Sequence, residues 1–415
     1  MVFSRDKNEE WKNMNKIIFR LLFTYFVLFV FLLIFAFILE TPLRWFAQNI
    51  LDWGGEFSMD STGSGDRSFD YVRFAANIFL TILIVPVWAF FDRSRVSFDN
   101  LFYAFQVLLR IFLFLAMCVY GFAKIFKGQF PDPSLVSLLR PLGDMSPMGL
   151  AWNFMGYSFF YNLFIGSVEV FGGLMLLFRR TQSLGSIVIA GTMVNVAMMN
   201  FTYDIPVKLF SVHLLMMAVL LMLTDGRRLW RVFISNETVS AVVHSQNPGG
   251  SSFQKILSAF KTIIVTVTLG IITIQCIVRF DIREQLKSKS EFYGIWESQQ
   301  FVLNQDTIPP ILTHFDRWRY LIVDQKNKMT ILSMDDSLEN YDFTIDLPSK
   351  EISFSTDLDS LYGSFSYSFF DDDSFQMKGR LGIDSLNMLF KRKSIEDFRL
   401  IRRKFHWINE STYNY

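Results

Sequence analysis

Glu169 stands in the middle of an apolar run, and Arg110 stands in the middle of another. An unpaired charge at mid-membrane depth is costly, so each calls for a partner, a proton or a water-lined cavity. Around Glu169, the residues Ser158, Asn162, Gly166, Glu169 and Gly173 recur at spacings of 4, 4, 3 and 4, one face of a helix. Tyr103, Gln106 and Arg110 share a face in the same way. Arg110 follows Asn100 by ten residues and Glu169 precedes Arg179 by ten. At roughly 1.5 Å per residue, both lie about 15 Å from one membrane boundary. The expectation is a buried Arg110–Glu169 pair lined by Tyr103, Gln106 and Asn162, forming a polar pocket that binds a small molecule or relays protons. The competing reading is a pair that only fixes helix register. Asn195 and His213, in the next two apolar runs, are further pocket candidates, and both also suit plain helix packing. Lys124, Asp204 and Lys208 fall at helix ends and are candidates for an outer mouth. There, Lys124 with Lys127 and Asp144 equally suits a solvated rim, and Asp204 with Lys208 a boundary pair.

The elements that must hold these residues are membrane helices. Of 415 residues, 51% are hydrophobic and 47 are Phe, which is the composition of a membrane protein. Spans are expected at 17–39, 71–91, 101–122, 153–178, 184–201, 207–223 and 256–278. The first is too long for a signal-peptide core and reads as a retained anchor. With the N-terminus inside, twelve Lys/Arg fall on the inner side, among them Arg5, Lys7, Lys12, Arg93, Arg179, Arg227 and Lys255. Five fall in the outer loops, so the N-terminus is expected inside and the tail outside. A net charge of +1 with no basic domain argues against a nucleic-acid partner. The two cysteines, Cys118 and Cys276, form no CxxC motif, and the four histidines have no metal-ligand spacing.

From residue 279 onward the pattern turns to short alternating strands. Phe365, Tyr367 and Phe369 fall on one face, and Ser364, Ser366 and Ser368 on the other. Strands are expected at 295–303, 318–323, 328–333, 341–346, 351–355, 364–370, 374–381 and 385–393. That makes an antiparallel meander, of a size that can close into a small barrel, and Gly294-Ile295-Trp296 resembles the opening strand of lipocalin-like barrels. The fold class is a membrane helical bundle followed by an antiparallel β domain. The expected divisions are 1–100, 101–231, 232–278 and 279–415. After the strands, the basic and aromatic segment from Phe398 to Glu410 suits docking on lipid headgroups or on the helical bundle, with a surface helix or strand as the alternative.

Residues 101–231 resemble the DoxX family of small bacterial four-helix membrane proteins. The matching features are Arg110, the helix end Tyr120-Gly121-Phe122-Ala123-Lys124, the pattern Gly166-x-x-Glu169-x-x-Gly172-Gly173 and the double arginine Arg179-Arg180. The resemblance implies a protein of the cytoplasmic (inner) membrane, linked in some members to quinone-dependent oxidoreductase complexes. This chain carries no cysteine pair, haem-ligand pattern or flavin motif, so a redox role would need a bound quinone or a partner subunit. The reading is a non-enzymatic membrane protein with a polar intramembrane pocket and an outer β domain that contacts a membrane or periplasmic partner. The alternatives are an accessory subunit of a quinone-linked oxidoreductase and a small-molecule or lipid transporter; inverted repeats, which would favour transport, are not evident.

Overall fold

The computed structural model describes residue 11 and residues 13–55, 64–239, 251–286, 291–356 and 359–414. Arg5, Lys7, Lys12, His244 and the Gly249-Gly250 pair lie outside the described residues. In chain order the helices are α1 (Asn13–Ile34), α2 (Glu40–Asn49), α3 (Ser68–Phe91), α4 (Asp99–Ile125), α5 (Leu135–Leu139), α6 (Pro147–Tyr157), α7 (Phe159–Leu176), α8 (Gln182–Thr202), α9 (Lys208–Thr224), α10 (Gly226–Phe233), α11 (Ser251–Leu286) and α12 (Arg399–Arg402). The strands are β1 (Gly294–Leu303), β2 (Asp306–Thr307), β3 (Trp318–Gln325), β4 (Lys328–Ser333), β5 (Leu338–Asp346), β6 (Glu351–Thr356), β7 (Asp359–Asp371), β8 (Ser374–Leu381) and β9 (Asp384–Lys393). Two compact units result: Met1–Phe130 with Ser158–Cys276, and Pro131–Tyr157 with Ile277–Tyr415.

The first unit is helical. α1, α3, α4, α7 and α8 are long and apolar enough to cross a membrane, and α9 with α10, bent by 74°, makes a sixth if counted as one span. A helix satisfies every backbone group internally, which hydrocarbon demands. The chain is therefore a multi-pass membrane protein. Its core lies among α1, α4, α8 and α9, where Phe19, Phe26, Leu109, Leu113, Ile189, Met193, Leu214 and Leu221 are buried. Between the first two expected spans the chain carries α2, braced by Arg44 on Glu40 at 2.7 Å.

α4 and α7 pack through glycine. A Cβ on Gly121 would stand 2.6 Å from Val170 Cγ2, and one on Gly166 would stand 2.5 Å from the Gly121 carbonyl oxygen. Only glycine allows this approach, because the two backbones touch. Gly166 faces Gly121 and Ile125, whereas Gly173 faces Phe114 and Met117. The two helices therefore run antiparallel. The single span expected over 153–178 is two helices. Ser158 breaks it by taking an extended conformation (φ −102°, ψ 111°) and capping α7, its Oγ accepting from the Tyr161 N–H at 3.2 Å.

The second unit is an antiparallel β-barrel. Each long strand pairs with the next, and β9 returns to β1 from Ile295↔Lys393 to Leu303↔Leu386, so eight strands close; β2 is a two-residue return onto the end of β1. Closure leaves no long edge strand exposed. Alternation fills the interior with Trp296, Phe301, Trp318, Phe354, Phe365, Tyr367, Phe375 and Phe390. Trp296 is pinned there: its Nε1 donates to the Phe292 carbonyl at 2.8 Å and the Arg392 guanidinium lies 4.2 Å from its ring centre. α5 belongs to this unit because Leu135 packs on Tyr320, Ile322 and Leu332 on the barrel exterior.

Candidate functional site

Glycine at the α4–α7 crossing also sets the charge pair. Lys124 and Glu169 each lie three residues beyond a crossing glycine, Gly121 and Gly166. Helical side chains tilt toward the N-terminus of their own helix. On antiparallel helices this tilt brings Lys124 and Glu169 toward each other across the crossing. Lys124 Nζ donates to Glu169 Oε2 at 2.9 Å, and both side chains are buried, with Glu169 only 2% exposed. The Tyr120 ring, one turn before Lys124, lies 5.6 Å from the ammonium. Burial strips water from both charges, and the bond between them offsets part of that cost.

The expected Arg110–Glu169 pair is not formed. α7 ends at Leu176, three residues before Arg179, so the boundary used to place Glu169 lies elsewhere. Arg110 Nε instead donates to the carbonyl oxygen of Leu176 at 2.5 Å, satisfying the open end of α7. Tyr103 lies below the Arg179 guanidinium, 4.6 Å from it, and Gln106 is half-buried one turn before Arg110. Arg110 thus closes the end of α7 and does not pair with Glu169.

The remaining candidates separate in the same manner. Asn162 is fully buried on the Glu169 helix, its Nδ2 donating to the Ser158 carbonyl at 3.0 Å. Asn195 is exposed, on the outer face of α8, and so is not a pocket member; Asn200, one turn and a half on, is the buried asparagine of that helix. His213 Nδ1 donates to the Leu209 carbonyl at 2.7 Å, and Nε2 shares a hydrogen bond of 2.7 Å with the Tyr25 hydroxyl. The ring stacks on Phe29 at 4.1 Å. Those contacts hold the imidazole among α1, α3 and α9. Lys124, expected on a rim, is a core member of the site. Lys208 Nζ bonds Asp204 at 2.7 Å and lies 3.9 Å from Asp66, whose carboxylate also accepts the N–H groups of Lys208 and Leu209.

A second polar cluster escaped the sequence reading. Arg67 and Arg73 both bind the buried Asp70, at 3.2 and 3.0 Å. Asn77, two turns further, is 1% exposed, and neither of its amide atoms has a hydrogen-bond partner among the described residues. It borders a narrow cavity with Arg73, Phe74 and His213. The spacing of three from Arg67 to Asp70 to Arg73 was the available signal. In the barrel unit, a groove of about 430 Å³ runs beside α5, lined by Ser134, Asp324, Lys328, Asn340, Tyr341 and neighbours. Asp324 Oδ2 accepts the Leu135 N–H at 3.1 Å. Among the described residues no group of three or more His, Cys, Asp or Glu could hold a metal ion.

The class so defined is a multi-pass helical membrane protein with a charge pair buried at a glycine crossing and a C-terminal β-barrel. No family model matches the chain, and no solved structure matches it. It is 35% identical over 124 residues to the uncharacterized protein YwoB of Bacillus subtilis (strain 168), covering 30% of this chain and 79% of that protein. The chain belongs to the family of that protein.

Proposed function

We propose that the chain is a non-enzymatic, DoxX-like protein of the cytoplasmic (inner) membrane. In this reading its buried Lys124–Glu169 site binds a small polar ligand within the bilayer. The barrel lies on the outer side and contacts a membrane or periplasmic partner. Seven spans are taken, with α9 and the apolar part of α11 completing those already described. The basic residues Arg227, Arg228 and Arg231 on one face of α10, with Leu229, Trp230 and Phe233 on the other, suit an inner interfacial helix and support an inside N-terminus.

The observation that carries the reading is the 2.9 Å bond between Lys124 and Glu169 on touching helices. A paired charge inside a span is retained at a cost, and function is the default account of it. A second reading, an accessory subunit of a quinone-linked oxidoreductase, is favoured by the Tyr120 phenol beside the Lys124 ammonium, since both groups donate to carbonyl oxygens such as those of a quinone. Native mass spectrometry of protein extracted with its own lipids tests both, comparing wild type with Glu169→Gln and Lys124→Met. Retention of a small molecule by wild type and its loss from both variants is expected; a quinone mass would select the second reading. An empty wild type would make the pair structural and sink the proposal.

A further inference from the structure

The barrel ends in a segment that carries charge and bare apolar surface together. After β9 come Arg399, Arg402, Arg403 and Lys404, with no acidic residue between Phe398 and Asn409. Among them Phe405 is 75% exposed, Trp407 90% and Ile408 78%. The Phe405 and Trp407 rings pack edge to face at 5.0 Å, one aromatic wedge rather than two separate side chains. Such a patch is a liability in water. Aromatic rings with flanking Arg and Lys are what the headgroup layer of a bilayer accepts.

Where the segment is tied fixes its occupant. The Tyr157 hydroxyl donates to the Arg403 carbonyl at 3.0 Å. Tyr157 is the last residue of α6, and the next residue, Ser158, caps the apolar helix α7. In the sequence, Tyr157 stands two residues before Phe159, the first residue of α7, a helix apolar and long enough to cross a membrane. α6 adds Phe154, also largely exposed. Four cations with no intervening anion select negative headgroups, each basic residue adding attraction near an anionic surface.

We propose that residues 399–408 form a lipid-binding surface, with Phe405, Trp407 and Ile408 inserted among acyl-chain carbonyls and the basic residues on anionic headgroups. It makes the bilayer itself a ligand of the barrel, and it rests on the chain being a membrane protein, not on the Lys124–Glu169 site.

The test uses the full-length protein with Cys118→Ser and Cys276→Ser, spin-labelled at Trp407→Cys, in nanodiscs of phosphatidylcholine with or without phosphatidylglycerol. The expected result is loss of relaxation by a water-soluble nickel chelate and gain of relaxation by oxygen when phosphatidylglycerol is present. Replacing Arg399, Arg402, Arg403 and Lys404 by Gln should abolish that shift, while the same label at Ser349→Cys, in the turn between β5 and β6, reports an intact barrel. Equal nickel access in both nanodiscs would overturn the proposal. A check that keeps the native thiols is quenching by brominated phosphatidylglycerol, where Trp407→Phe should lower the quenched fraction of emission; an unchanged fraction counts against the proposal.

Discussion

Lys124 and Glu169 meet at 2.9 Å because each follows a glycine by three residues on antiparallel helices whose backbones touch at those glycines. Remove one partner and the other is left as an uncompensated buried charge. Glu169→Met and Lys124→Met should each destabilise the helical unit by about 3–5 kcal/mol. The double replacement by Met should recover much of that loss, since two apolar groups leave nothing unpaired. Unfolding of wild type and the three variants in detergent, read as a double-mutant cycle, checks this; additive losses would mean the two side chains are uncoupled.

The glycines themselves give a sharper contrast. Gly121→Ala and Gly166→Ala must push α4 from α7, because their Cβ atoms would sit 2.6 Å from Val170 Cγ2 and 2.5 Å from the Gly121 oxygen. A loss of about 1–3 kcal/mol is expected for each. Gly191→Ala meets nothing within 4 Å and should be neutral or stabilising by up to about 1 kcal/mol. Thermal midpoints of the three proteins decide the point, and equal shifts for all three would show that the crossing is not tight.

Much of this architecture was legible in the sequence. Strands Lys328–Ser333 and Ser374–Leu381 fall where alternation placed them, because a filled barrel demands an apolar residue at every second position. The apolar runs that form α1, α3, α4 and α8 were equally plain, their length being set by the bilayer. Pairing within the bundle was harder. Counting residues from Arg179 put Glu169 level with Arg110, but α7 stops at Leu176, and in the antiparallel register Glu169 stands nearly two turns from Arg110. The glycines, read with the tilt of helical side chains, point to Lys124. Asn195 was misplaced because one polar residue in an apolar helix does not reveal which face it occupies. The break at Ser158 was hidden because serine is tolerated inside spans and also caps helices.

Arg110 offers a way to separate architecture from binding. Its Nε satisfies the Leu176 carbonyl at the C-terminus of α7, where a cation also meets the favourable end of the helix dipole. Arg110→Gln should cost about 1–2 kcal/mol and raise amide exchange over residues 173–181. The Lys124–Glu169 coupling should persist in that background. Hydrogen exchange by mass spectrometry reads the first effect and the repeated mutant cycle the second. A coupling lost along with Arg110 would mean that all three charges act as one network.

In the barrel unit, Asp324 gives the pH dependence a definite sign. Burial beside α5 raises its carboxyl above the usual range, and the Leu135 N–H, bonded at 3.1 Å, pulls only partly the other way. The protonated form is therefore favoured by folding. Its contribution is fully present below the unfolded-state value and is lost as pH rises through the folded one. Asn at this position keeps an acceptor for Leu135 and cannot ionise. Between about pH 4 and about pH 7, the barrel's melting midpoint in intact wild-type protein should fall relative to that of Asp324→Asn. Near-ultraviolet circular dichroism, where the buried Trp296 and Trp318 contribute, follows that transition. A difference that stays constant across the window would mean Asp324 does not titrate differently on folding, and a difference of opposite sign would mean the bond to Leu135 outweighs burial.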